Sequence, residues 1–150
     1  DACIRAEVAV MPGIDGRKIS KSYGNAIEMF GDEKAVRKRI MSIVTDSQPV
    51  EAPKQDLDKN IALQLYRLVA TAAQAHAMEA KLAAGGYGYG ELKKDLFVAI
   101  MDCFAPFRAE RAKLAKNMDY VRQVLRDGAA RANAEADKTM CKVREAVGLR

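Results

Sequence analysis

The sequence predicts a mainly α protein: a helical bundle preceded by a short N-terminal β-strand and a loop. Three observations predict it. Beyond Asp32, apolar residues recur every three or four positions, the period of an amphipathic helix. Before Pro12, Ile4, Ala6, Val8 and Val10 alternate with Arg5 and Glu7, the period of two that marks a half-buried strand. Between them, residues 12–25 follow neither period and are rich in glycine and basic side chains.

Pro12 and Gly13 end the strand. Asp32, after Gly31, is placed to cap the first helix, whose apolar stripe is Val36, Ile40 and Ile43 and whose basic stripe is Lys34, Arg37 and Lys38. Residues 48–55 hold Pro49 and Pro53 and read as a connecting loop. Ile61, Leu65, Leu68 and Val69 mark a second helix. Thr71 with Gln74 three residues on is a capping box that opens a third, and Gly85 and Gly86 stop it. The clearest amphipathic run, Leu92, Leu96, Phe97, Ile100, Met101 and Phe104, predicts a central core helix, which Pro106 should kink or break. Phe107 and Leu114 extend an apolar face beyond it. Asn117 or Asp119 can cap a long last helix with Val121, Leu125, Ala132, Ala136, Met140, Val143 and Val147 on one face, its alanines small enough for close approach of a neighbour. Gly148 ends it.

The chain has 150 residues, 49% hydrophobic and 30% charged, enough to bury a core of its own. Its 25 basic and 20 acidic residues leave a net charge of +5, a mild cationic bias that suits RNA or phosphate without specifying either. No apolar run is long enough to span a membrane, and no signal peptide opens the chain, so a cytoplasmic location is expected. Cys3, Cys103 and Cys141 are odd in number and far apart, and read as buried apolar residues rather than bridges or ligands. His76 has no neighbours of metal-ligand type, and no metal site is expected. Glu28, Asp46 and Glu91 are expected to cap helices or face water. Residues 85–90 lack P-loop spacing, and Tyr87 and Tyr89 there should pack on the bundle.

The chemistry concentrates in Lys18-Ile19-Ser20-Lys21-Ser22. Arg17, Lys18 and Lys21 lie within five residues, with Asp15 alone to offset them, on backbone loosened by Gly13, Gly16 and Gly24. Such a loop is suited to close on a polyphosphate. A solvated basic turn carries the same pattern. Repulsion among these cations predicts that residues 13–25 are mobile when no anion gathers them.

The run Pro12-Gly13-Ile14-Asp15-Gly16-Arg17-Lys18-Ile19-Ser20-Lys21-Ser22-Tyr23-Gly24-Asn25 resembles the second signature of class I aminoacyl-tRNA synthetases, written KMSKS, with Ile19 in place of methionine. Ile43-Val44-Thr45-Asp46-Ser47, Gly85-Gly86-Tyr87-Gly88-Tyr89-Gly90-Glu91-Leu92-Lys93 and the tail from Asp119 to Gly148 resemble the bacterial tryptophanyl-tRNA synthetase family. The likeness covers nearly the whole chain in order. The family's first signature, of His-Ile-Gly-His type, is absent, and the chain begins at Asp1. It therefore looks like a C-terminal fragment of such an enzyme: residues 1–30 the edge of a Rossmann-type catalytic domain, residues 31–150 a helical, anticodon-binding-like domain.

The resemblance implies an ATP-dependent tryptophan–tRNA ligase acting on tRNA(Trp), ATP with Mg2+ and L-tryptophan, with a homodimeric parent and the tryptophan pocket outside this piece. It assigns Lys18 and Lys21 to catalysis and Lys18, Ser20, Lys21 and Ser22 to the ATP phosphates, with Gly13, Gly16 and Gly24 as hinges of the loop. Candidates for tRNA phosphate contacts are Arg131, Lys138 and Lys142 on one arc of the last helix and Arg122 and Arg126 on another, although such charges equally form a solvated face. A stand-alone RNA-binding helical module and the same region of a tyrosyl-type synthetase are the alternatives.

Overall fold

The structure, a computed structural model, describes residues 10–149. The strand expected from Ile4 onward falls outside them, apart from Val10, which is exposed. The described residues contain no strand, and one isolated antiparallel bridge joins Pro12 to Lys18. Five α-helices follow: α1 Glu33–Met41, α2 Ile61–Val69, α3 Ala72–Ala84, α4 Tyr89–Ala115 and α5 Met118–Ala146, with a 3-10 turn at Leu57–Lys59. The fold is mainly α, as its periodicity requires.

Four of the five helices, α1, α2, α3 and α5, start where a side chain takes up unpaired N–H groups. Asp32 Oδ2 accepts from Lys34 N at 3.0 Å and Ala35 N at 3.2 Å. Asn60 Oδ1 accepts from Leu63 N at 2.9 Å. Thr71 and Gln74 form the full capping box, and Asn117 caps α5. Gly85 ends α3 at a φ of 80°. It also has no room for a side chain, since a Cβ there would come within 2.5 Å of Glu51 O.

The chain divides into two units, Asp1–Ala105 and Pro106–Arg150. The first holds the core. Val36, Ile40 and Ile43 meet Ala62, Leu63, Leu65 and Tyr66 of α2, Met78 and Leu82 of α3, and Leu92, Leu96 and Ile100 of α4. Burying each such leucine or isoleucine contributes about 1.5–3 kcal/mol, so these residues hold the unit together. Ile14, Ile27 and Met29 pack on the same core, which seats the N-terminal loop on the helices. Arg67 of α2 joins Glu79 of α3 at 2.7 Å and Asp58 of the 3-10 turn at 2.8 Å. Tyr87 and Tyr89 do pack on the bundle, their hydroxyls donating to Asp95 Oδ2 at 2.5 Å and Asp46 Oδ2 at 2.9 Å.

Two expectations are corrected here. Pro106 does not break its helix: α4 runs through it to Ala115. One proline forfeits a single ladder bond, and the helix-forming run Arg108-Ala109-Glu110-Arg111-Ala112 continues the helix beyond it. Cys103 and Cys141 are exposed free thiols rather than buried ones, and Cys3 falls outside the described residues. In the second unit, α5 has no buried residue, and its Leu125, Met140 and Val143, like Val147 just past its end, are all exposed. The helix is laced instead by i,i+3 pairs such as Asp119–Arg122 and Glu135–Lys138.

Candidate phosphate-binding loop

Residues 11–25 fold as two consecutive turns. In the first, Gly13 N donates to Arg17 O at 2.7 Å, Ile19 N to Met11 O at 2.9 Å, and Gly16 N to Gly13 O at 3.0 Å. Gly16 sits at a φ of 80°, where a side chain would be strained. In the second, Tyr23 N donates to Ser20 O at 3.3 Å and Gly24 N to Lys21 O at 3.2 Å, with Gly24 at a φ of 60°.

Asn25 joins the turns. It is almost fully buried, and every polar atom of its amide is used. Oδ1 accepts from Ser20 N at 2.8 Å, while Nδ2 donates to Asp15 Oδ1 at 2.9 Å and Lys18 O at 3.3 Å. Its backbone carbonyl accepts from Ile14 N at 3.0 Å. Gly13 is needed here for space, because a Cβ at that position would lie 2.3 Å from Asn25 Nδ2. The loop is thus a bonded double turn. Sequence reading passed over Asn25; its signal was a lone amide directly before the apolar Ala26-Ile27.

The three cations are not equivalent. Arg17 is engaged: its Nη2 lies 2.7 Å from Asp15 Oδ2, its Nε donates to the same oxygen at 2.7 Å, and its guanidinium stands 4.6 Å from the centre of the Tyr23 ring. The Asn25 amide, aided by Arg17, holds the Asp15 carboxyl down at a pKa of about 2. Lys18 and Lys21 are exposed and, among the described residues, belong to no ion pair. Ser20 Oγ and Ser22 Oγ lie 2.9 Å apart. The loop therefore presents two ammonium groups and two hydroxyls, with no carboxylate paired to either ammonium among the described residues. Lys21 also lines an open cleft of about 570 Å³ with Ala26, Glu28, Asp32 and Arg39.

The other sequence candidates lie elsewhere. Arg122, Arg126, Arg131, Lys138 and Lys142 are all exposed on α5, in the second unit. Arg122 meets Asp119 at 3.3 Å, Arg126 donates to Gln123 at 2.7 Å, and Lys138 meets Glu135 at 2.7 Å. Arg131 and Lys142 belong to no ion pair among the described residues. His76 is exposed and 3.5 Å from Glu79. No helix of the described residues is long and apolar enough to cross a membrane.

Residues 3–105 match the sequence profile of the family described as tRNA synthetases class I (W and Y). The chain is 46% identical over 142 residues to a tryptophan–tRNA ligase of Rhodopirellula baltica, covering 95% of this chain and 44% of that protein. It is 43% identical over 141 residues to the corresponding ligase of Fusobacterium nucleatum, covering 94% and 43%. Among solved structures, the tryptophanyl-tRNA synthetase of Campylobacter jejuni complexed with ADP and tryptophan superposes with a TM-score of 0.86 at 34% identity, over 99% of this chain and 46% of that one. The chain thus spans less than half the length of the curated relatives it matches.

Proposed function

The chain belongs to the tRNA synthetases of class I (W and Y), and on that premise we propose that it is the C-terminal part of an ATP-dependent tryptophan–tRNA ligase. In this reading residues 1–30 carry the edge of the catalytic domain with the KISKS loop, and residues 31–150 form the helical, tRNA-binding part. The substrates are ATP, L-tryptophan and tRNA(Trp), and the setting is the cytoplasm. The relatives that share most of this chain's length are tryptophan–tRNA ligases, which favours tryptophan over tyrosine.

The observation that carries the proposal is the pair of ammonium groups, Lys18 and Lys21, that belong to no ion pair among the described residues, on a loop whose third cation, Arg17, is already paired with Asp15. In amino-acid activation the tryptophan carboxylate attacks the α-phosphorus, the bond to the oxygen bridging the α- and β-phosphates breaks, and pyrophosphate leaves. Negative charge gathers on the leaving group as that bond breaks. Lys18 and Lys21 would meet it in the transition state more than in bound ATP, which is what lowers a barrier. Ser20 and Ser22 would offer O–H donors to the same oxygens. Gly16 and Gly24, at positive φ, are the points where the backbone can change course as the loop closes. Among the described residues no group of three His, Cys, Asp or Glu is arranged to hold a metal ion. The tryptophanyl group then passes to a ribose hydroxyl of the tRNA, and α5, with Arg122, Arg126, Arg131, Lys138 and Lys142, would supply contacts to its phosphates.

Tryptophan-dependent exchange of labelled pyrophosphate into ATP tests this reading. The complete enzyme carrying this segment should catalyse it, and Lys18→Ala and Lys21→Ala should each depress it. A folded complete enzyme without tryptophan-dependent exchange rejects the proposal.

A further inference from the structure

Lys93 is a lysine that the phosphate chemistry does not use. It stands on α4 between Leu92 and the next turn's Leu96 and is 8% exposed. Its Nζ donates to Ile43 O at 2.6 Å and to Met41 O at 3.4 Å. Burial pushes its pKa below the usual lysine value. An ammonium is costly to remove from water, and a methionine would fill similar volume without that cost. What the ammonium adds is a fixed point for two carbonyls at the negative end of α1.

Those carbonyls lead directly to the loop. Ile43 O and Val44 N belong to one planar peptide group, whose oxygen and hydrogen point in opposite directions. Lys93 grips the oxygen, and the N–H donates to Ile14 O at 2.9 Å. Ile14 N in turn donates to Asn25 O, and the Asn25 amide holds Ser20 N and Lys18 O. A charged donor at one end of such a chain polarises the next bond and strengthens it.

We propose that Lys93 is a positioning residue: through the Ile43–Val44 peptide it sets where the KISKS loop presents Lys18 and Lys21 relative to the helical core. Its bearing on catalysis rests on the function proposed above; its hold on the loop does not.

The test uses Lys93→Met and Lys93→Arg in the complete enzyme. Lys93→Met should lower the rate constant of tryptophan activation about ten- to a hundredfold, the effect of a small misplacement of reacting groups, with the ATP dissociation constant within about threefold of wild type. Lys93→Arg should restore part of the rate. Amide hydrogen exchange supplies a readout independent of activity. In Lys93→Met the Val44 amide should exchange about tenfold faster, while Leu65 in α2 and Leu82 in α3 stay near their wild-type rates. Unchanged exchange at Val44, or acceleration spread evenly over α2 and α3, overturns the proposal. If Lys93→Met does not fold, Lys93→Gln takes its place under the same criteria. A wild-type enzyme without tryptophan-dependent exchange refutes the proposed function, and the Val44 amide still decides whether Lys93 governs the loop.

Discussion

Asn25 Nδ2 donates to Asp15 Oδ1 across 2.9 Å, and this contact sorts the charges of the loop. Asp15 is held where its second oxygen takes Arg17, whose guanidinium also lies over Tyr23. One of three neighbouring cations is thereby neutralised inside the loop. Lys18 and Lys21 are left to face an external anion without a third positive charge pushing on them.

Asn25→Ala should loosen the loop. Ser20 N and Lys18 O would lose their partner in a part-buried setting, where leaving a group unsatisfied costs less than the roughly 1–3 kcal/mol of full burial. The change should appear as a lower urea midpoint and as faster amide exchange at Ser20. A Ser20 amide as protected as in wild type would mean that the network does not hold the loop.

Gly13→Ala and Gly24→Ala separate two reasons for glycine. At Gly13 the new Cβ would press on Asn25 Nδ2 and Cγ at 2.3 and 2.4 Å, so the buried amide must move. At Gly24 there is open space, and the penalty is the backbone alone, about 1–2 kcal/mol for an L-residue at its φ of 60°. Gly13→Ala is therefore expected to destabilise more, and to release Asn25. Chemical denaturation of both variants decides it; equal losses would assign Gly13 the same backbone role as Gly24.

Acid should open the same network. The Asp15 pKa is depressed from 3.8 to about 2 in the folded loop, so the carboxylate form is the one folding favours. Its contribution is complete above about pH 4 and is lost as pH falls through about 2. Carbon-detected titration of the Asp15 carboxyl, read beside the Asn25 side-chain amide, should show both shifting together in that window. Titration of Asp15 near 3.8, with the Asn25 amide unmoved, would show that the two are not coupled.

What was legible in the sequence was local. Asp32, Thr71 and Asn117 act on N–H groups two or three residues away, and the stripes Val36–Ile40 and Leu92–Leu96–Ile100 need only a helical period to find the core. That Lys18 and Lys21 stand exposed was legible because charged side chains beside glycines favour a solvent-facing loop. Asn25 and Lys93 were not, because their meaning lies in partners that the fold brings together: Lys93 and Ile43 are 50 residues apart. The apolar face of α5 shows the complementary limit. A periodic face shows that a helix is amphipathic, not what covers it, and Leu125 and Val147 remain exposed.

Lys21→Ala in the complete enzyme should slow tryptophan activation far more than it weakens ATP binding. Lys21 is exposed beside an open cleft, on a turn already fixed by Gly24 N to Lys21 O, so its side chain has little structural work to lose. Its ammonium would meet charge that appears on pyrophosphate only as the bond to the α-phosphate breaks. Removing one such preorganised contact costs about 2–4 kcal/mol, or roughly two to three decades in rate. Lys21→Arg should recover only part of it, because a planar fork does not place charge where a compact ammonium did. Pre-steady-state activation kinetics with a parallel ATP titration separates the outcomes. An unchanged rate constant with a raised ATP dissociation constant would move Lys21 to ground-state binding. No change in either would make the loop a solvated basic turn, and the phosphate reading would fall.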